Sequence, residues 1–169
     1  MSVSAESISV LLESELRMLA DERVLTHIRG LMVEPIPQSR AWDYGQPGEE
    51  YPCWMVLAHA KSNTGIAYCE FGFGPRSPWG LLALTGNAQM SIGMDSGWFH
   101  HFLDAYFDSM ASAELPIWRV FKGRTGDSAG TPITAEGHWE ATWAEVMRLR
   151  AEDTASKYDC SQSVYVPNT

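Results

Sequence analysis

Apolar residues recur at helical spacing from the start of the chain. Ile8, Leu11, Leu12, Leu16 and Leu19 fall on one stripe, Glu13 and Glu15 fall off it, and Ser4 or Ser7 stands where an N-cap is needed. A second stripe, Val24, Leu25, Ile28, Leu31 and Met32, follows a capping Asp21 and is stopped by Pro35 and Pro37. The pattern predicts a pair of helices. From Gln38 to Glu50, the breakers Gly45, Pro47 and Gly48 predict a loop with one short extended piece at 41–44.

The period then changes. YPCWMVLAHA and GIAYCEFGF are β-rich runs joined by the polar connector KSNT, a length that suits a hairpin. Strict alternation sends Cys53, Met55 and Leu57 to one face of the first run and Trp54, Val56 and Ala58 to the other, so a strand apolar on both faces is expected at the centre of a sheet. Residues 81–84 and 90–94 add two short strands between turn formers. Asp95 or Ser96 then caps a predicted helix bearing Trp98, Phe99, Phe102, Leu103, Tyr106, Phe107 and Met110. Residues 115–121 have strand composition, and the turn-rich stretch 122–133 predicts a mobile loop. Thr134 caps a last helix reaching about Arg150, with Trp139, Trp143, Val146 and Met147 on one face, and the run VYV in the 152–169 tail is expected to add an edge strand. Together these elements predict one α+β domain over 1–169, an antiparallel sheet of about four to five strands packed with amphipathic helices.

Composition narrows the function. With 169 residues, 45% of them hydrophobic, the chain has apolar surface enough for one substantial core. Lys and Arg number 12 against 21 Asp and Glu, a formal charge of -9, which disfavours nucleic acid as a direct ligand and favours steering toward a basic protein. Glutamates inside the first apolar stretch argue against a secretory signal, no uninterrupted apolar run reaches bilayer length, and three cysteines make no disulfide framework. A cytoplasmic protein with no membrane contact is expected. Seven Trp, six Tyr and six Phe are too many large rings for deep burial alone, so some are expected to line a cleft or an interface, including that of a homodimer.

Chemistry-bearing residues are scattered. Cys53 and His59 share strand parity but stand roughly 20 Å apart, too far to share an ion, and no CxxC or HxxxH compensates. On the predicted Trp98 helix, His100 and Asp104, or His101 and Asp104, have the spacing at which imidazole meets carboxylate, with Asp108 one turn further. The glycines around Arg76 lack the Lys and Ser/Thr of a phosphate loop. These residues point to no metal and no cofactor. RAWDYGQPGEEYPCW, by contrast, gathers Trp42, Tyr44, Tyr51 and Trp54 with Asp43, Glu49 and Glu50, aromatic anchors ringed by acids that suit a basic protein surface or a cation.

The strings YPCW, SNTGIAYCEFGFGP, PWG and SIGMDSGWF resemble those of a group of small uncharacterised bacterial proteins, a resemblance that carries no reaction and no catalytic residues. In size, acidity and mixed layout the chain is also similar to bacterial immunity proteins, which implies neutralisation of a toxin by binding it. The leading expectation is therefore a noncatalytic acidic binding module, of the immunity type, with Trp42, Asp43, Tyr44, Glu49, Glu50, Tyr51 and Trp54 as its surface. The competing expectation is a small-molecule-binding protein or small enzyme, with a pocket between the sheet and the Trp98 helix that uses Glu70, Asp95 and His100.

Overall fold

The computed structural model describes residues 3–42, 46–72, 76–85, 91–92, 97–123 and 130–164, and no side chain is described for residues 42, 91 and 92. Its class is α+β. The chain divides into two compact units, 1–112 and 113–167. Among the described residues, no helix is long and apolar enough to cross a membrane.

In the first unit, α1 (Ala5–Leu16) starts at Ser4, whose hydroxyl accepts the Ser7 N–H while Ser7 answers with a reciprocal bond to the Ser4 N–H. Asp21 caps α2 (Glu22–Leu31) through the Arg23 and Val24 N–H groups. The stripe of α1 differs from expectation at two positions. Leu11 is exposed, whereas Glu15 is buried, because Glu15 lies three residues from Leu12 and seven from Ile8 and so faces inward with them.

After α2 the chain is not a loop. β1 (Met32–Trp42) runs through both prolines and pairs antiparallel with β2 (Glu50–His59). The register shifts between Met32 and Ile36, which accommodates Pro35. On the other side of β1 the only described pairing is the parallel contact of Ala41 and Trp42 with β5 (Ser91–Ile92), so Pro35 and Pro37 occupy an open stretch where a missing N–H breaks no ladder. β2 continues through a 3-10 turn at Ala60–Ser62 and Asn63 (φ 57°) into β3 (Thr64–Tyr68). β4 (Trp79–Ala83) follows, and β6 (Trp98–Phe99) pairs with it, giving the order β5-β1-β2-β3-β4-β6. β2 is central, as its two apolar faces require.

The register between β2 and β3 shifts at Val56, which falls between the pairs Met55↔Ala67 and Leu57↔Ile66. This bulge overturns the simple alternation: Cys53 and Met55 stay on one face, and Leu57 passes to the other. The sheet curls, for β5 lies against β4 as well as β1, and the Arg40 guanidinium on β1 donates through Nη1 to the Ala83 carbonyl on β4 at 2.9 Å. Inside the curl, Cys53, Ala67, Cys69, Leu82 and Trp98 form one apolar cluster, with Tyr51, Met55 and Leu84 at its margin.

The helices cover the opposite face. α3 spans Phe102–Asp108 only, because Trp98 and Phe99 are drawn into the sheet opposite Gly80 and Trp79; the predicted helix starting near Asp95 is thereby corrected. Phe102 meets Trp79 edge to face at 5.4 Å, and Trp79 meets Tyr68 at 5.1 Å. α2 joins α3 through His27 Nδ1 and the Tyr106 hydroxyl, 2.8 Å apart.

In the second unit β7 (Trp118–Lys122) lies between β8 (Thr131–Pro132) and β9 (Tyr158–Gln162). The tail does supply an edge strand, β9; of the VYV run, Tyr165 and Val166 lie outside the described residues. Of the predicted 122–133 loop, residues 124–129 lie outside the described residues, and part of the remainder is strand. α4 (Trp139–Glu152) begins at His138; Thr134 is no cap, since its hydroxyl accepts the Val120 N–H at 3.0 Å and ties the chain to β7. Val120, Val146 and Tyr158 form this unit's core, with Leu149 and Cys160 against them.

Candidate functional site

The β1–β2 hairpin brings the acidic end of the predicted binding segment to the surface. Its tip turns at Gly48, whose φ of 86° is a conformation that only glycine adopts without strain. Two bonds close the turn: the Glu49 N–H donates to the Gln46 carbonyl at 2.9 Å, and the Glu49 carboxylate accepts the Gln46 N–H at 3.0 Å. The Gln46 N–H, followed by the Tyr51 hydroxyl, holds the Glu49 carboxyl below its ordinary range, so it is ionised at neutral pH. Glu50 accepts the Ser39 hydroxyl across the ladder at 2.9 Å. Both glutamates are exposed, and neither pairs with a cation among the described residues.

Of the aromatic members, Tyr51 and Trp54 do not share one face. The β1–β2 register is regular from Ala41↔Glu50 to Ile36↔Met55, so Tyr51 shares a face with Cys53 and Trp54 points to the opposite face. Tyr51 packs against the interior of the curl, whereas Trp54 is half-buried opposite Tyr68 on the helical side. Among the described members, Glu49 and Glu50 form an acidic tip, Tyr51 lies beneath it and Trp54 lies on the other face. The backbone of Trp42 ends β1 beside Ile92; Asp43 and Tyr44 lie outside the described residues.

The described parts of the alternative pocket, Glu70 and His100, are both exposed. Glu70 is exposed just past β3, and Asp95 lies outside the described residues. His100 precedes α3 instead of riding on a helix, and its Nδ1 is bonded to the Arg76 carbonyl. The spacing argument for His100 and Asp104 therefore fails, since it needs both residues on one helix. His101 turns instead toward α1, with Nδ1 3.9 Å from Glu15 Oε1. Among the described residues no three His, Cys, Asp or Glu side chains are grouped to hold a metal ion.

β3 places Cys69 directly across from Cys53, continuing the Trp54↔Tyr68 register, and the Cys69 thiol donates to the Pro52 carbonyl at 3.4 Å. Burial pushes the Cys53 thiol up to about 11 and raises Cys69 as well, so both remain protonated and act as small apolar residues. His59 stays apart, bonded through Nδ1 to the Ser62 hydroxyl at 2.6 Å.

Two features escaped the sequence reading. Glu15 is a buried carboxylate that caps a helix 88 positions away, a role foreshadowed only by its inward spacing. On α4, Trp139 and Trp143 stack with centroids 6.0 Å apart and planes within 4°, and with Met147 they remain exposed. Val146, which the spacing puts on one face with these three, is instead wholly buried; the inward face consists of Thr142, Val146 and Leu149. No protein-family model, no curated protein and no solved structure matches the chain.

Proposed function

We propose that this chain is a noncatalytic binding module that engages a basic protein surface through the β1–β2 tip, in the manner of an immunity-type inhibitor. The observation that carries the reading is the pair Glu49 and Glu50, exposed, held in place by neighbouring hydrogen bonds and lacking any described cation. Carboxylates already ordered lose little freedom on meeting Lys or Arg. The surrounding charge supports the same direction. Thirteen acidic against six basic side chains fall within 1–112, a net -7, while 113–167 carries eight against six, a net -2. The field that would steer a basic partner therefore belongs to the unit bearing the tip.

The test is capture of basic proteins from source cells, purification of each, and titration against the wild type and the Glu49→Gln/Glu50→Gln variant at low and high salt. The reading expects a one-to-one complex weakened about tenfold by the double substitution, with a shallower salt dependence. A complex indifferent to both changes would overturn it. So would native mass spectrometry that finds a retained small molecule lost on substitution of Glu70 or His100, which would favour the pocket reading.

A further inference from the structure

The outward face of α4 is apolar at its centre and oppositely charged at its two ends. Trp143 is 36% and Met147 51% exposed, Trp139 at 37% stacks beside Trp143, Glu140 lies toward the N-terminus, and Arg150 lies toward the C-terminus. Glu140, Trp143, Met147 and Arg150 follow one another at intervals of three, four and three, the spacing of a helix-pairing seam. Read in the opposite direction, that row is its own complement.

We propose that this face docks a second copy of the chain, α4 against α4 in antiparallel array about a twofold axis at the level of Glu145. That register sets Trp143 against Met147 of the second copy and Glu140 against Arg150 of the second copy, each contact occurring twice. Sulfur against indole is a favourable contact, and the stacked ring is already ordered before docking.

Charge decides in favour of a second copy over an unrelated partner. Glu140 has no cation among the described residues, whereas Glu145 and Glu152 are both occupied by Arg148 at 2.7 and 2.5 Å. Arg150 is held over the Trp143 ring at 5.4 Å, anchored by Nε on the Tyr158 carbonyl and by Nη2 on Asp159. One end of the face therefore offers an unpaired carboxylate, and the other offers a positioned guanidinium whose Nη1 is bonded to neither anchor. Two copies satisfy both ends at once.

A 14-residue helix is about 21 Å long, so two such helices bury less than the usual ~800 Å² per partner and the dimer belongs to the weak, micromolar class. Sedimentation velocity on the full chain, from about 1 to several hundred micromolar, reads it directly. Trp143→Ala is expected to weaken the dimer about a hundredfold. Glu140→Arg and Arg150→Glu each convert both end pairs into like charges and are expected to weaken it about tenfold or more. Mixed one to one, these two charge variants are expected to recover the dimer, because each then supplies what the other lacks. Circular dichroism confirms that each variant is folded, and recovery on mixing excludes misfolding as the cause of the losses. A wild type monomeric over the whole range, a dimer indifferent to Trp143→Ala, or charge variants that do not recover on mixing would each overturn the proposal.

Discussion

Replacing Glu15 tests how the helices of the first unit are joined. α3 is only seven residues long, too short to hold itself together, and its own N-cap residue His101 makes no capping side-chain bond. The cap comes from α1 instead: the Glu15 carboxylate, 6% exposed, accepts the Leu103 N–H at 3.2 Å. Glu15→Ala leaves that buried N–H without a partner, at a cost of about 1–3 kcal/mol, and opens a small void. A loss of about 2 kcal/mol is expected, which lowers the melting temperature by roughly 4–8 °C for a chain of this size. Glu15→Gln keeps a carbonyl oxygen in the same place and removes the charge.

The two substitutions differ in their pH dependence. Burial raises the Glu15 carboxyl above its ordinary value of 4.5, outweighing the Leu103 N–H and His101, which lower it, while Asp104 adds to the rise. The stability linked to that raised value is fully present below 4.5 and is lost as pH climbs through the folded-state value, because the folded chain holds the proton longer than the unfolded one. Glu15→Gln cannot lose it. The stability of Glu15→Gln relative to the wild type is therefore expected to increase from pH 4 to pH 8, while Glu15→Ala remains the least stable at pH 8. Urea unfolding at several pH values measures the first effect, and amide hydrogen exchange at Leu103 reads the cap locally. Protection of the Leu103 amide unchanged in Glu15→Ala, or a Gln-to-wild-type difference that shrinks as pH rises, would refute the reasoning.

Three further outcomes follow from packing and burial. A Cβ at Gly65 would stand 2.6 Å from the Leu57 carbonyl oxygen, a backbone atom that cannot swing away, so Gly65→Ala is expected to cost about 1–3 kcal/mol or more in urea unfolding. Gly30, within α2 and with nothing within 4 Å of its Cβ position, is expected to gain about 0.5–1 kcal/mol in Gly30→Ala by the same measurement. Cys53 and Cys69, 0% and 1% exposed, are expected to resist an aromatic disulfide reagent at pH 8 until urea is added, with partly exposed Cys160 the first to react; peptide mapping of the labelled sites checks the order.

The helical periodicities of α1, α2 and α4 were legible because each rests on local spacing, and Ser4 and Asp21 are found at the caps where spacing put them. The faces were less legible. Leu11 and Glu15 exchange inside for outside, and Val146 parts from Trp139, Trp143 and Met147, because a window of sequence cannot tell which side of a broad stripe meets the core. β1 was hidden by Pro35 and Pro37, which forbid a strand only where both of its edges are paired. Trp98 and Phe99 fit a helical stripe and a strand equally well, and pairing with Trp79 and Gly80 decided between them.

The candidate site shows why composition located its acids better than its rings. Glu49 and Glu50 carry charge, and charge is kept at the surface wherever a hairpin turns, so their exposure follows from the turn residues around Gly48. Tyr51 and Trp54 carry apolar area that either face of β2 can bury, and their separation by three positions divides them between those faces. A cluster of unlike residues in one segment becomes a surface only when the strand period agrees with it. On α4 the agreement is present: Glu140, Trp143, Met147 and Arg150 keep a seam spacing while Val146 and Leu149 take the core. The exposed Glu49–Glu50 pair and the exposed Trp139–Trp143 stack therefore lie on different elements. The tip can be neutralised by Glu49→Gln/Glu50→Gln without touching the stripe, and the stripe can be emptied by Trp143→Ala without touching the tip. The proposed partner binding and the proposed self-association are thus separable by measurement, and loss of both on either change alone would show that this assignment of roles is wrong.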